Sequence, residues 1–148
     1  MKRSTDLGRK LRSNSRPPAN VPKVGGSLQI ILAPAALRDI REALKWSEER
    51  FGSRAAARYR SLLKQAFRDI GADPERIGST ERPELSSGAR TYHLRFSRDR
   101  AGASGMVKSP RHFLLYRRRH EGAIEVARVL HDACDLERHL PDDYRRTG

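Results

Sequence analysis

The strongest constraint on the fold is a pair of amphipathic runs set back to back, ALRDIREALKWSEERF and SRAAARYRSLLKQAFRDI, with only Gly52 between them. In the second run Ala56, Tyr59, Leu63, Ala66 and Ile70 recur at three- and four-residue spacing, which aligns them along one side of a helix. Leu62 and Phe67 widen that stripe. In the first run Ala36, Leu37, Ile40, Leu44 and Phe51 form the apolar face, and Arg38, Arg41, Glu42 and Lys45 point outward. Neither helix can hide its apolar side alone. Joined so tightly, they must fold back on each other as an antiparallel hairpin. Pro34 suits the first turn of the leading helix, where its missing N–H costs nothing, Gly52 suits the position just past the end, and Ser53 can cap the second helix.

A hairpin of this kind needs a further layer to cover, and the remaining apolar runs read as strands. LQIIL, residues 28–32, precedes the hairpin. After it, Asp73-Pro74 stops the second helix, and a Gly-, Pro- and Ser-rich loop follows. ARTYHLRFS then alternates, with Tyr92, Leu94 and Phe96 on one face and Thr91, His93 and Arg95 on the other. A long polar turn over residues 97–112 leads to RHFLLYRRR, and a short turn at His120-Glu121-Gly122 leads to GAIEVARVLH. These three runs read as an antiparallel meander. The expected fold is therefore α+β in the order β-α-α-β-β-β, a helical hairpin packed on a small antiparallel sheet, closed by a short C-terminal helix. It spans residues 28–141, between a basic tail over 1–27 and a C-terminal tail over 142–148.

Composition limits what such a domain can meet. Only 36% of residues are hydrophobic and 33% are charged, and 31 Lys plus Arg against 18 Asp plus Glu give a formal charge of +13. That field attracts polyanions without choosing among nucleic acid, acidic protein and anionic lipid. A single cysteine, Cys134, excludes an internal disulfide and suits a reducing compartment. No apolar run approaches a membrane span and the N-terminus has no signal-like apolar core, so the expected location is the cytoplasm, away from membranes. Residues 1–27 carry seven Lys or Arg and one Asp with little to bury, which reads as a disordered tail ahead of an arm that grips nucleic acid.

The densest polar cluster is HDACDLERH, residues 131–139. A zinc site needs three or four convergent ligands, with Cys and His preferred. His131, Asp132, Cys134, Asp135 and His139 include one cysteine and no short-spaced pair to complete such a site. The cluster reads better as a chain reversal after the last strand. Asp135 would sit near the start and His139 near the end of a short helix, as the helix dipole favours, with Leu136 and Leu140 in the core. No metal and no cofactor is expected.

Taken in order, these segments resemble the ParE branch of the RelE/ParE toxins of type II toxin–antitoxin pairs. The resemblance rests on LAPAALRDIREALKWSEERFG, with Pro34, Ala36, Asp39, Ile40, Trp46 and Gly52, then on AAARYRSLL, with Ala56, Tyr59 and Leu62. It continues through DPERIGSTERPEL and GARTYHLRF, with Pro74, Gly78, Arg82, Gly88 and Arg90. It ends in HFLLYRRR and IEVARVLHDACDLERHL, with Tyr116, Arg117, Val129, His131, Asp135 and His139. The resemblance covers about residues 28–141. It departs from the family in the longer N-terminal extension and in the long turn over 97–112.

The resemblance implies a toxin that poisons DNA gyrase and is held inactive by a ParD-like antitoxin encoded beside it, or else a ribosome-dependent messenger RNA endonuclease on the same fold, as in RelE-like relatives. A gyrase poison needs a binding surface and no catalytic residue. Arg90, Arg117, Arg128 and His131 are the target-binding candidates, and Arg117 and Arg128 could equally just pair with Glu125 or Asp135. As a ribonuclease the same four residues would supply phosphate-binding cations and a proton shuttle, with Arg95, His93 and Lys108 as further candidates. The aspartates of PDDYRRTG, ahead of Tyr144, weigh against that reading because they would repel RNA. Trp46 and Phe51 are candidates for an antitoxin groove, although large aromatics are mostly buried and the core reading stands ahead.

Overall fold

A computed structural model of the chain describes residues 27–102, 106–119 and 122–133. The element order is β1 (Gln29–Leu32), α1 (Pro34–Phe51), α2 (Ser53–Ala72), β2 (Ser79–Glu81), β3 (Ala89–His93), a 3-10 helix (Leu94–Arg100), β4 (His112–Arg118) and β5 (Ala123–His131). The fold is thus the α+β arrangement expected, a helical hairpin on one sheet. The short C-terminal helix expected after β5 lies outside the described residues, as do Cys134, Leu136 and Leu140.

Helix α1 opens with Pro34 in its first turn, and it closes at Gly52, whose φ of 96° a side chain would strain. Gly52 also precedes α2 directly, with no side-chain cap, so Ser53 is the first helical residue and not the cap expected of it. On α2 the stripe Ala56, Tyr59, Leu62, Leu63, Ala66 and Ile70 is buried as its spacing requires. On α1 the buried line is Ala36, Ala43 and Ser47, and Ile40 and Leu44 pack partly against the core. Leu37 and Phe51, placed on the apolar face by sequence, are exposed. Phe51 is the last residue of α1, at the tip of the hairpin.

The five strands run in the order β1-β5-β4-β3-β2. The meander β3-β4-β5 is antiparallel as expected, but β1 joins β5 in parallel, so the sheet is mixed. β2, inside the segment read as loop, adds a three-residue edge strand. β3 stops at His93, sooner than its alternation suggests, because the His93 side chain accepts the Arg95 N–H and caps the 3-10 helix. Leu94 and Phe96 still reach the main core from that helix, beside Tyr92. Leu114, Tyr116, Ile124, Val126 and Val129 present the inner face of the sheet to α1 and α2. A smaller cluster of Leu85, Ala89, Leu115 and Ala127 covers the opposite face.

Candidate functional site

Strand β1 pairs only with the first part of β5, from Ala123 to Val126. Beyond Val126 the edge of β5 runs on under α1 without a strand beside it, among the described residues. A bulge falls there. Leu115 of β4 opposes Arg128 while Tyr116 opposes Val126, so Ala127 is the extra residue. The bulge keeps Ala127 in the outer cluster and turns Arg128 toward the edge. Asp39 of α1 meets it. Its carboxylate accepts from Arg128 Nε at 2.7 Å, from Arg128 Nη2 at 2.9 Å and from the Val129 backbone N–H at 2.9 Å. One carboxylate therefore takes the place of a neighbouring strand at the open edge.

Above this clamp lies a groove of about 1110 Å³ between the hairpin, the segment from Met106 to Arg111, and the end of β5. Its apolar mouth is formed by Trp46 and Phe51, 49% and 66% exposed, which stack edge to face at 5.7 Å. Both were expected in the core, and both stand outside it. Arg50 lies over the Trp46 ring at 5.1 Å. Glu42, Arg58 and Lys108 add charge around the rim.

At the inner end of the groove three strand ends meet. His93 closes β3, His112 opens β4 and His131 closes β5. Asp132 ties them together: one carboxylate oxygen takes His93 Nε2 at 3.0 Å, and the other takes Arg111 at 3.2 Å. Burial works against the charge on Asp132, but the His93 hydrogen bond and the Arg111 guanidinium outweigh it and hold the carboxyl below its usual range. Tyr59 of α2 reaches in from above. Its oxygen accepts the Arg111 backbone N–H at 3.2 Å and shares a 2.6 Å hydrogen bond with His112 Nδ1. Burial pushes the Tyr59 hydroxyl up to about 12. Burial, with the nearby His131, pushes His112 down to about 4. His112 is therefore a neutral ring at neutral pH.

His131 and Asp132 end a strand and lock it to its neighbours, and the His131 Nδ1 accepts the Ala133 N–H. Among the described residues no three His, Cys, Asp or Glu side chains converge as metal ligands. Cys134, Asp135 and His139 lie outside the described residues.

The four residues singled out for target binding are dispersed. Arg90 donates to the Ser79 hydroxyl at 2.6 Å, near Tyr116, toward the β2 edge. Arg117 pairs across the ladder with Ala89 of the outer cluster and lies 3.7 Å from Glu125. Arg128 is clamped by Asp39, Asp135 lies outside the described residues, and of the other three candidates only His131 shares the groove wall with Arg128. Of the other ribonuclease candidates, His93 is engaged by Asp132, Arg95 lies over Phe96, and Lys108 is on the groove rim. Sequence reasoning missed the work of Asp39 and Tyr59. Asp39 had a signal, since an acid between Ala36 and Ala43 borders the buried stripe of a helix, where it needs a partner.

Comparison with known proteins agrees with this architecture. A family model described as the ParE toxin of type II toxin–antitoxin systems, parDE, matches residues 30–136. Toxin ParE1 of Mycobacterium tuberculosis, from strains CDC 1551 / Oshkosh and ATCC 25618 / H37Rv, is 32% identical over 114 residues, which is 77% of this chain and 99% of that toxin. The match runs from β1 through the end of β5, across the hairpin, the Asp39–Arg128 clamp and the strand-end lock, and the chain belongs to the ParE family of toxins of type II toxin–antitoxin systems.

Proposed function

We propose that this toxin acts by binding DNA gyrase on its DNA, and that a ParD-like antitoxin neutralises it by laying an amphipathic, acidic segment in the groove beside α1. The observation that carries the antitoxin half is the Trp46–Phe51 pair. Two large aromatics stacked on each other and half or more exposed, at the mouth of a groove of about 1110 Å³, are the anchor a partner segment fills. Arg58 and Lys108 on the rim favour carboxylates on that segment. The aromatic anchors would supply affinity, and the rim charges would supply rate and register.

Support for a binding toxin over a cutting one comes from the dispersal of the three candidate arginines, of which only Arg128 lines the groove that holds Lys108 and His131. Cleavage of RNA through its own 2′-hydroxyl needs a base, an acid and phosphate-binding cations around one phosphodiester. Arg90, Arg117 and Arg128 are each engaged on different parts of the sheet, and His93 is held by Asp132. Blocking religation by gyrase asks only for a complementary surface.

The test is supercoiling and DNA cleavage by gyrase with antitoxin-free toxin. Loss of supercoiling with accumulation of cleaved DNA, reversed by the antitoxin, is the expected result. Unchanged gyrase together with ribosome-dependent cleavage of messenger RNA would replace this reading with the endonuclease one.

A further inference from the structure

The positive charge of the domain is not evenly spread. Helix α1 carries four cations and four acids: Arg38, Arg41, Lys45 and Arg50 against Asp39, Glu42, Glu48 and Glu49. Helix α2, nearly the same length and packed beside it, carries Arg54, Arg58, Arg60, Lys64 and Arg68 against Asp69 alone. That one acid is turned away from the outer surface. Asp69 is engaged by Arg100 and by Ser97 of the 3-10 helix, and its side chain is 10% exposed. Arg58 looks into the groove. Arg54, Arg60, Lys64 and Arg68 remain on the exposed side, with the small residues Ala57 and Ser61 between them.

Four-residue spacing places Arg60, Lys64 and Arg68 in one row, with neighbours about 6 Å apart along the axis. Like charges at this spacing repel and cost the helix stability, so the row is not a device for holding α2 together. Its chemistry narrows the partner. Membrane-surface helices carry aromatic or aliphatic side chains on the face that meets lipid, whereas the apolar face of α2 is spent on the core. Single-stranded nucleic acid is held by stacking on aromatics, and no aromatic lies on this row. Duplex RNA also presents phosphates and adds 2′-hydroxyls, so it stands as a competing outcome of the test. A straight cationic row with small residues between fits the phosphate backbone of a B-form duplex.

We propose that the outer face of α2 is a docking strip for the phosphate backbone of duplex DNA, contacting it without reading sequence through Arg54, Arg60, Lys64 and Arg68. The strip lies on a different surface from the aromatic groove, and it is tested on bare DNA, so its failure leaves the gyrase reading untouched.

The experiment measures binding of the full-length toxin to a labelled mixed-sequence DNA duplex between 50 and 200 mM salt. It compares the wild type with R60Q/K64Q/R68Q on α2 and with R38Q/R41Q/K45Q on α1. Both variants lose three charges from exposed helical positions and keep the basic tail. Each lost phosphate contact lowers the salt slope by about 0.9, so the α2 variant should lose about 2.7 from its slope. Across that salt range the wild type should then weaken about 40-fold more than the α2 variant. The α1 variant should keep nearly the full wild-type slope. Equal losses in both variants would reduce the effect to bulk charge and overturn the proposal. So would an unchanged α2 variant, or tighter binding to duplex RNA or to anionic vesicles than to DNA. Should the triple variant fold poorly, Lys64→Gln alone, expected to lower the slope by about 0.9, makes the same comparison.

Discussion

Replacing Asp39 by alanine should destabilise the toxin far more than a surface ion pair would. Asp39 and Arg128 are 11% and 21% exposed, so neither end of the pair is solvated as a surface pair is. The substitution removes the acceptor of the Val129 N–H, on a residue that is 3% exposed, and leaving a buried donor unpaired costs about 1–3 kcal/mol. It also strips the Arg128 guanidinium of both its bonds to the carboxylate, and partial access to water returns some of that loss. The expected total is about 3 kcal/mol, or a fall in Tm of about 12 °C for a domain of this size. Asp39→Asn keeps one acceptor for Val129 and should cost about half as much. Urea denaturation of Asp39→Ala, Arg128→Ala and the double variant should give a coupling of about 1.5–3 kcal/mol. A cost below about 0.5 kcal/mol for Asp39→Ala, with no coupling, would reduce the clamp to an ordinary surface pair. The outcome also governs how Arg128 is interpreted in toxicity assays. An Arg128 variant that loses toxicity has lost a target contact only if its fold is intact.

Three further outcomes follow from the same geometry. Trp46→Ala and Phe51→Ala, at exposed positions, should leave stability within about 0.5 kcal/mol yet weaken antitoxin binding about tenfold or more each by calorimetry; unchanged affinity would remove the groove from the interface. His112, neutral in the fold down to about pH 4 and protonated in the unfolded chain below about 6.5, should make stability fall as pH drops from 6.5 toward 4 and level off below; His112→Phe should abolish that part of the urea–pH profile. Gly78→Ala, at a φ of 101° with the new Cβ only 2.5 Å from the Phe96 ring, should cost about 1–3 kcal/mol in the same denaturation assay, and a neutral result would mean that Phe96 moves aside freely.

The parts of the fold that were legible from sequence are those whose signal is local. The hairpin follows from three- and four-residue periodicity and one glycine, and the meander from alternation and short turns. Part of what escaped depends on residues far apart in the chain, and part on local features that carry no period. The parallel docking of β1 on β5 leaves no trace in either run alone, since antiparallel and parallel neighbours both read as short apolar segments. The three-residue β2 is too short to carry a period. The end of β3 was set by a side chain, His93, that folds back on its own backbone. In the site, the aromatics were misplaced for a general reason: burial frequencies describe a typical Trp or Phe, and Phe51 sits where α1 ends and the hairpin turns.

The dense polar run and the aromatic groove meet only at His131 among the described residues, for a physical reason. The described members of the crowded HDACDLERH run hold together three strand ends that share no local sequence. A sheet whose strands stop at one level needs polar partners there for the backbone and side chains it exposes. The groove was assembled instead from single residues on separate elements, each unremarkable in its own segment. Its depth depends on β1 being shorter than β5, and its stability on Asp39, which lies 89 positions from the arginine it holds. An open strand edge is ordinarily a liability, because another chain can pair with it. Here a carboxylate occupies the Val129 N–H at that edge, so its first donor past β1 is already taken, and what the groove still offers is the exposed faces of Trp46 and Phe51.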